Sequence, residues 1–146
     1  MFLFAIVNAN PIQLQQVTIT NLNMEQYKTI VEQSQHVWII QLCYSNSISK
    51  EFTKAAFVYR GVAKAGIIHC SIENKCNAIN NGQNIPDGTI VFIHNGVVSV
   101  GSDETIDNFK LIRHKTKDLI DEKLKNQEEN IEEYKIKTVE FSIENF

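Results

Sequence analysis

Cysteine occupies only three of the 146 positions, 43, 70 and 76, and no two of them stand three residues apart. A vicinal dithiol is therefore missing. Thiol–disulfide exchange of the usual kind needs a low-pKa thiolate and a second thiol that resolves the mixed disulfide, and serine hydroxyls supply neither. Arginine is almost absent, at positions 60 and 113 among 14 basic residues, and net charge is −3. The lysines are not gathered into one stretch, which excludes a surface that tracks nucleic-acid phosphates. No apolar run approaches the ~20 residues of a membrane-spanning helix. Gly-rich phosphate loops, Ser-His-Asp sets and paired carboxylates at catalytic spacing are missing as well. The 15 asparagines form no Asn-x-Ser/Thr sequon, which argues against a glycosylating lumen.

Metal chemistry is not expected. His36, His69, His94 and His114 fall in four separate segments without ligand spacing. Alternation along a strand sends His69 and Cys70 to opposite faces, so His69, Cys70 and Cys76 do not form a zinc set. His94 reads as part of a hairpin turn and His114 as part of a charged helix face, both exposed. No cofactor is implied.

What is present is enough apolar material, 43% of the chain, for one domain of roughly 100–120 residues with an extension at each end. Residues 1–16 read as an N-terminal arm. Its first seven residues are apolar, and Val7-x-Ala9 has the small-residue spacing of a secretory signal, but no basic residue precedes it. The β-branched stretch 17–20 predicts a short strand. Asn23 with Gln26 three residues on predicts a capping box and a helix to about residue 34. The nearly unbroken apolar run 37–44 predicts a central strand covered on both faces. A helix over 48–59, stopped by Gly61, leads to a buried strand over 62–70. Ser71 is expected to cap a short helix with Ile72, Cys76 and Ile79 on one face. Strands 89–93 and 97–100 flank Asn95-Gly96, a strong hairpin signal. Ser102 is expected to cap a long helix striped by Ile106, Phe109, Ile112, Leu119, Ile120 and Leu124.

The tail, 126–146, opens with acidic residues. Its part from 134 to 143 alternates apolar and polar with period two, which predicts a strand offered to a partner's edge or groove. The order β-α-β-α-β-α-β-β-α implies an α/β domain over 17–125, a mixed central sheet with helices on both faces. Trp38, Ile40, Leu42, Ile67, Ile90 and Phe92 are its expected core.

Over 17–125 the chain also resembles the thioredoxin-like domains of the protein disulfide isomerase type. Val37-Trp38-Ile39-Ile40-Gln41-Leu42 resembles the strand before that family's active site, and Glu51-Phe52-Thr53-Lys54-Ala55-Ala56 is similar to its Glu-Trp-x-Lys-Ala-Ala helix. Residues 62–70 resemble the next strand, and Thr89-Ile90-Val91-Phe92 the strand after the family's cis-proline. These motifs belong to the scaffold. Where the family carries Trp-Cys-Gly-x-Cys, this chain has Ser45-Asn46-Ser47-Ile48-Ser49 in a shortened segment. Where the family carries Tyr-Pro-Thr, this chain has Ile85-Pro86-Asp87-Gly88-Thr89, and counting back from Asn95-Gly96 puts Gly88 rather than Pro86 at the cis-proline position. The resemblance thus implies a degenerate active-site loop and a degenerate cis-proline region. It also implies a disulfide between Cys70 and Cys76, because several lumenal members carry a cysteine pair there; two separate buried thiols are the alternative. Cys43, inside a buried strand, reads as a small inert hydrophobe.

The functional expectation is a non-enzymatic thioredoxin-fold protein serving as a structural or interaction subunit of a larger protein assembly. An organellar setting is expected, with the mitochondrion ahead of the endoplasmic reticulum lumen. Partner contacts are expected at Phe2, Leu3, Phe4, Tyr134, Val139 and Phe141. The alternative is a lumenal disulfide isomerase-like chaperone or redox-accessory domain, which an oxidised Cys70–Cys76 pair would favour. Monothiol glutaredoxin-like chemistry would need a cysteine at the helix start, where Ser47 or Ser49 stands.

Overall fold

Val37–Cys43 is a run of seven residues without a charge, and every one of them is buried. A strand shut off from water on both faces must satisfy its backbone groups along both edges. This strand, β2, does so between the parallel strand β3 (Ala63–His69) and the antiparallel strand β4 (Thr89–His94). β1 (Ile19–Leu22) pairs in parallel with β3, and β5 (Val97–Val100) closes the other edge against β4. The five-stranded order is β1-β3-β2-β4-β5. The structure, a computed structural model, describes residues 18–45 and 48–144, with side chains as far as 129 and at 131.

Alternation divides the core into two layers. Trp38, Ile40 and Leu42 face a layer completed by Tyr27, Val31, Cys76 and Ile85. Ile39 faces the other layer with Phe52, Ala55, Ala56, Ile90, Phe92 and Ile112. Helices thus cover both faces, as the sequence pattern implies. All six expected core residues lie within 4% of full burial.

The first helical segment opens as α1 (Met24–Gln26) under the expected capping box: Asn23 accepts from the Gln26 amide and the Gln26 side chain accepts from the Asn23 amide. It then widens into a π-turn over Tyr27–Val31, where the Glu32 amide donates to the Tyr27 carbonyl at 3.1 Å. The wide turn lets Tyr27 and Val31 both reach the core. α2 (Lys50–Val58) crosses from β2 to β3, and Gly61, at φ +87°, makes the turn that follows. Asn95 and Gly96 take φ of +51° and +75°, the left-handed pair a two-residue hairpin turn requires.

Five expectations are corrected. The first strand, Ile19–Leu22, lies two residues later than 17–20, and Leu22 is its buried residue. The short helix after β3 is a 3-10 turn at Cys76–Asn80, and Ile72 is 89% exposed in the loop before it. Ser102 caps no long helix: Asp103–Thr105 is a single 3-10 turn, and Asp107, at φ +54°, breaks the chain direction. The long helix α3 (Phe109–Glu144) starts instead under Asn108, whose side chain accepts from the Leu111 amide at 3.2 Å. His94 ends β4 rather than entering the turn and is buried at 6% exposure, whereas His114 is exposed and 3.6 Å from Asp118.

The largest correction concerns the tail. No strand forms over 134–143; α3 runs through residue 125 without a break and ends at Glu144. Extending an existing helix adds a hydrogen bond per residue without a new nucleus, and the Glu, Lys and Gln of this stretch are good helix formers. Tyr134, Val139 and Phe141 therefore lie on helical backbone, and their side chains fall outside the described residues. Phe2, Leu3 and Phe4 lie outside them entirely.

α3 is anchored by its first half. Ile112 and Thr116 are fully buried, and Tyr59 of α2 donates to the Arg113 carbonyl at 3.1 Å. Leu124 and Ile131 are 52% and 54% exposed. Ile112→Ala should accordingly lower unfolding free energy by about 2–5 kcal/mol, a buried-aliphatic truncation. Leu124→Ala should change it by less than about 0.5 kcal/mol. Urea titration followed by circular dichroism measures both.

Candidate functional site

Open α/β sheets present ligand sites at the carboxyl ends of their strands. Here β2 ends at Cys43, α2 begins at Lys50, and the 86–88 segment and Asp107 close in from the side. They surround a cleft of about 360 Å³.

Ser49 organises the helix start. Its hydroxyl accepts from the Phe52 amide at 3.2 Å, the N-cap bond, and donates to Asp107 Oδ1 at 2.7 Å. Its own amide donates to Oε1 of buried Gln41 at 3.2 Å, and its carbonyl accepts from the Thr53 hydroxyl at 3.0 Å. Both capacities of the hydroxyl, and the backbone on either side, are thereby engaged.

Asp87 holds the other wall. Its Oδ1 accepts from the Tyr44 amide at 2.7 Å, and its Oδ2 lies 3.5 Å from the Ser45 hydroxyl. Gly88 follows, buried, with φ at +89°. Its amide donates to the Leu42 carbonyl at 2.8 Å, which locks this segment to the end of β2. Proline at 88 would have no N–H for that bond and could not adopt a positive φ. No cis peptide bond occurs among the described residues, and Pro86 is exposed. The groove wall is thus a left-handed glycine on a hydrogen bond.

Cys43 lies in this cleft but is 1% exposed. Its Sγ is 3.9 Å from the Ile68 carbonyl and 3.9 Å from His69 Nδ1. Burial pushes the thiol pKa up, and the Asp87 carboxylate pushes it further. At neutral pH the group is a protonated thiol, a weak nucleophile. Ser45, Ile48 and Ser49 line the same cleft; Asn46 and Ser47 lie outside the described residues. Among the described residues no group of three potential ligands is placed to hold a metal ion.

No protein-family model matches the chain, and no curated protein matches it. Solved structures do. A thioredoxin from Trypanosoma brucei brucei superposes with a TM-score of 0.55 at 12% identity, over 71% of this chain and 92% of that one. The Trx4 domain of ERdj5 gives 0.53 at 12% identity, over 68% and 96%. A longer ERdj5 structure gives 0.54 at 16% identity, over 76% of this chain and 15% of that one.

The fold is thioredoxin-like.

Within this thioredoxin-like frame, Cys70 and Cys76 are joined by a disulfide with Cα atoms 5.5 Å apart. Asn74 shapes the loop between them, accepting from the Met24 amide and donating to the His69 carbonyl, both at 3.3 Å. The bond sits in the Trp38–Leu42 layer, whereas alternation puts Cys43 on the opposite face, so the free thiol is separated from the disulfide by the sheet itself.

Sequence reasoning did not find Gln41, Asp87 and Asp107 as site-building residues. Gln41 was the detectable one: a lone amide in an otherwise apolar strand needs a buried partner. Asp87 and Asp107 owe their roles to loop geometry that spacing does not reveal.

An alanine at Gly88 would place Cβ 3.1 Å from Ile106 Cγ2 on a backbone of positive φ. Gly88→Ala should therefore destabilise the domain by about 1–2 kcal/mol in urea titration. The raised thiol pKa of Cys43 gives a second test. The folded state keeps this proton where the unfolded chain loses it, so the stability it contributes is present below the ordinary thiol pKa and is lost as pH rises through the folded value. Labelling of native Cys43 by an aromatic disulfide reagent should show its half-rise at a more alkaline pH than labelling of the same chain in urea.

Proposed function

We propose that this chain is a redox-silent thioredoxin-fold protein that works by protein contact, as a structural or interaction module of a larger assembly. The carrying observation is the engagement of Ser49. A serine occupies the α2 start, where dithiol chemistry would need a thiolate. Its hydroxyl already accepts from the Phe52 amide and donates to Asp107. The thiol in the cleft, Cys43, is buried and held protonated.

Two features support the contact role. The cleft has a hydrogen-bonded wall at Gly88, a fixed shape suited to recognition. α3 continues past its anchored half with Leu124 and Ile131 exposed seven residues apart, on one helix face.

The Cys70–Cys76 disulfide supports a second reading on one point, the compartment. Disulfides persist in oxidising surroundings, which favours the endoplasmic reticulum lumen over the mitochondrial expectation. In that setting the same module would act as a chaperone-like or redox-accessory domain of the disulfide isomerase type.

The oxidised full chain should reduce insulin with dithiothreitol no faster than dithiothreitol alone, and Cys43→Ser should leave that rate unchanged. Turnover that disappears with Cys43→Ser would overturn the silent reading. Turnover that disappears only with Cys76→Ser would assign the chemistry to the disulfide and favour the redox-accessory role.

A further inference from the structure

The outer face of α2 and α3 carries an apolar groove of about 370 Å³, lined by Thr53, Lys54, Phe57, Val58 and Phe109. Phe57 and Val58 are exposed there, at the end of a helix whose other face buries Phe52, Ala55 and Ala56. Apolar side chains gathered into one concave patch, unlike singly scattered ones, mark a surface that another molecule covers.

Both arginines of the chain stack on the phenylalanines of this groove. The Arg60 guanidinium lies 3.9 Å above the Phe57 ring, and that of Arg113 lies 5.6 Å from the centre of the Phe109 ring. Stacking holds each charge at the groove's rim. Among the described residues, neither guanidinium forms an ion pair with a carboxylate. The floor is apolar and the rim is positive.

The chain carries the complement of this groove itself. Beyond Lys123 every described side chain of α3 is exposed, and the helix runs on to Glu144, about 30 Å at 1.5 Å per residue. Leu124 and Ile131 share one face of this extension, among Glu122, Glu128 and Glu129, with Glu132 and Glu133 following in the sequence. A helix with no packed face is marginal in water, so packing on another surface stabilises it. Apolar side chains between carboxylates match an apolar floor between guanidiniums. Ile131 lies about 33 Å along the helix from Phe109, so an unbroken α3 cannot fill the groove of its own chain.

We propose that the chain forms a two-fold dimer in which the α3 extension of each copy lies in the Phe57–Phe109 groove of the other. The dimer rests on the contact role above and makes a second copy of the chain the partner. A two-fold interface is isologous, so each contact forms twice. Antiparallel α3 helices that cross near Ile120, midway between Phe109 and Ile131, bring each Ile131 to the other copy's Phe109. The same register sets Arg113 of one copy beside Glu128 of the other. These two residues are about 22 Å apart along a single helix, so their ion pair forms only between copies.

Sedimentation equilibrium of the full chain between ~1 and ~100 μM should show monomer giving way to dimer. Arg113→Glu and Glu128→Lys each set like charges at both contacts and should each weaken the dimer by at least about tenfold. Both side chains are exposed, so circular dichroism should show the fold intact. A mixture of the two variants sets opposite charges at both contacts and should dimerise like the parent chain. Glu73→Lys, the same charge change in the exposed loop before Cys76, should leave association unchanged.

A chain that stays monomeric over that whole range would overturn the proposal and leave the groove to a partner of another sequence. Dimers that neither variant weakens, or a mixture that associates as poorly as its components, would overturn it by placing the interface elsewhere. None of these outcomes bears on insulin reduction, which tests redox silence separately.

Discussion

The burial of β2 on both faces and both edges is the constraint from which the rest of the molecule follows. Seven consecutive buried residues can be accommodated only if each N–H and C=O meets a neighbouring strand and the side chains pack into layers on both faces. The parallel neighbour β3 requires a crossover, because a tight turn cannot return the chain in the same direction, and α2 is that crossover. Its start is thereby forced to the carboxyl end of β2. The antiparallel neighbour β4 needs no crossover, and the 86–88 segment that leads into it meets the same end from the other side. The cleft is a consequence of how one strand is buried, independent of the residues that furnish it.

The same frame stands with serine at the start of α2. A helix start needs its orphan N–H groups satisfied, and Ser49 does this as an N-cap with Gln41 answering its own amide. Serine at this position meets the structural demand fully. What it lacks is ionisation near neutral pH, which stability does not require and dithiol exchange does. At Gly88 the same separation holds: the hydrogen bond to Leu42 keeps the wall closed without a cis-proline. Stability and redox chemistry place different demands on the same positions.

Much of the fold was legible because its signals are local and redundant. Apolar runs, the Asn23–Gln26 capping box and the Asn95-Gly96 turn each admit one backbone state. Errors arose where two local solutions compete. Ser102 and Asn108 are both good N-caps, and Asp107 at positive φ decides between them through the direction in which the chain must return to Ile112. The 134–143 pattern suits a strand taken alone, yet the segment follows a helix already nucleated, and propagation prevails. Asn-Gly alone does not say how far the strand runs, so His94 reads as turn from the sequence; pairing with Val97 puts it in β4. The site was less legible than the fold, since Asp87 and Asp107 join it across dozens of residues of sequence.

The two ends of β2 contrast in how their polar groups are matched. At the carboxyl end the Ser49 hydroxyl, the Asp87 carboxylate and the Gly88 amide have their partners inside the domain. At the amino end two buried donors have none among the described residues. Between them run Ile39, Ile40 and Leu42, fully buried, packed into two separate layers and without a polar group to relay a change. Gln41 is the exception, and its bond is directed to Ser49, away from Trp38. Groups this far apart with no shared partner act additively. Substitutions at the two ends of the strand should therefore add without coupling.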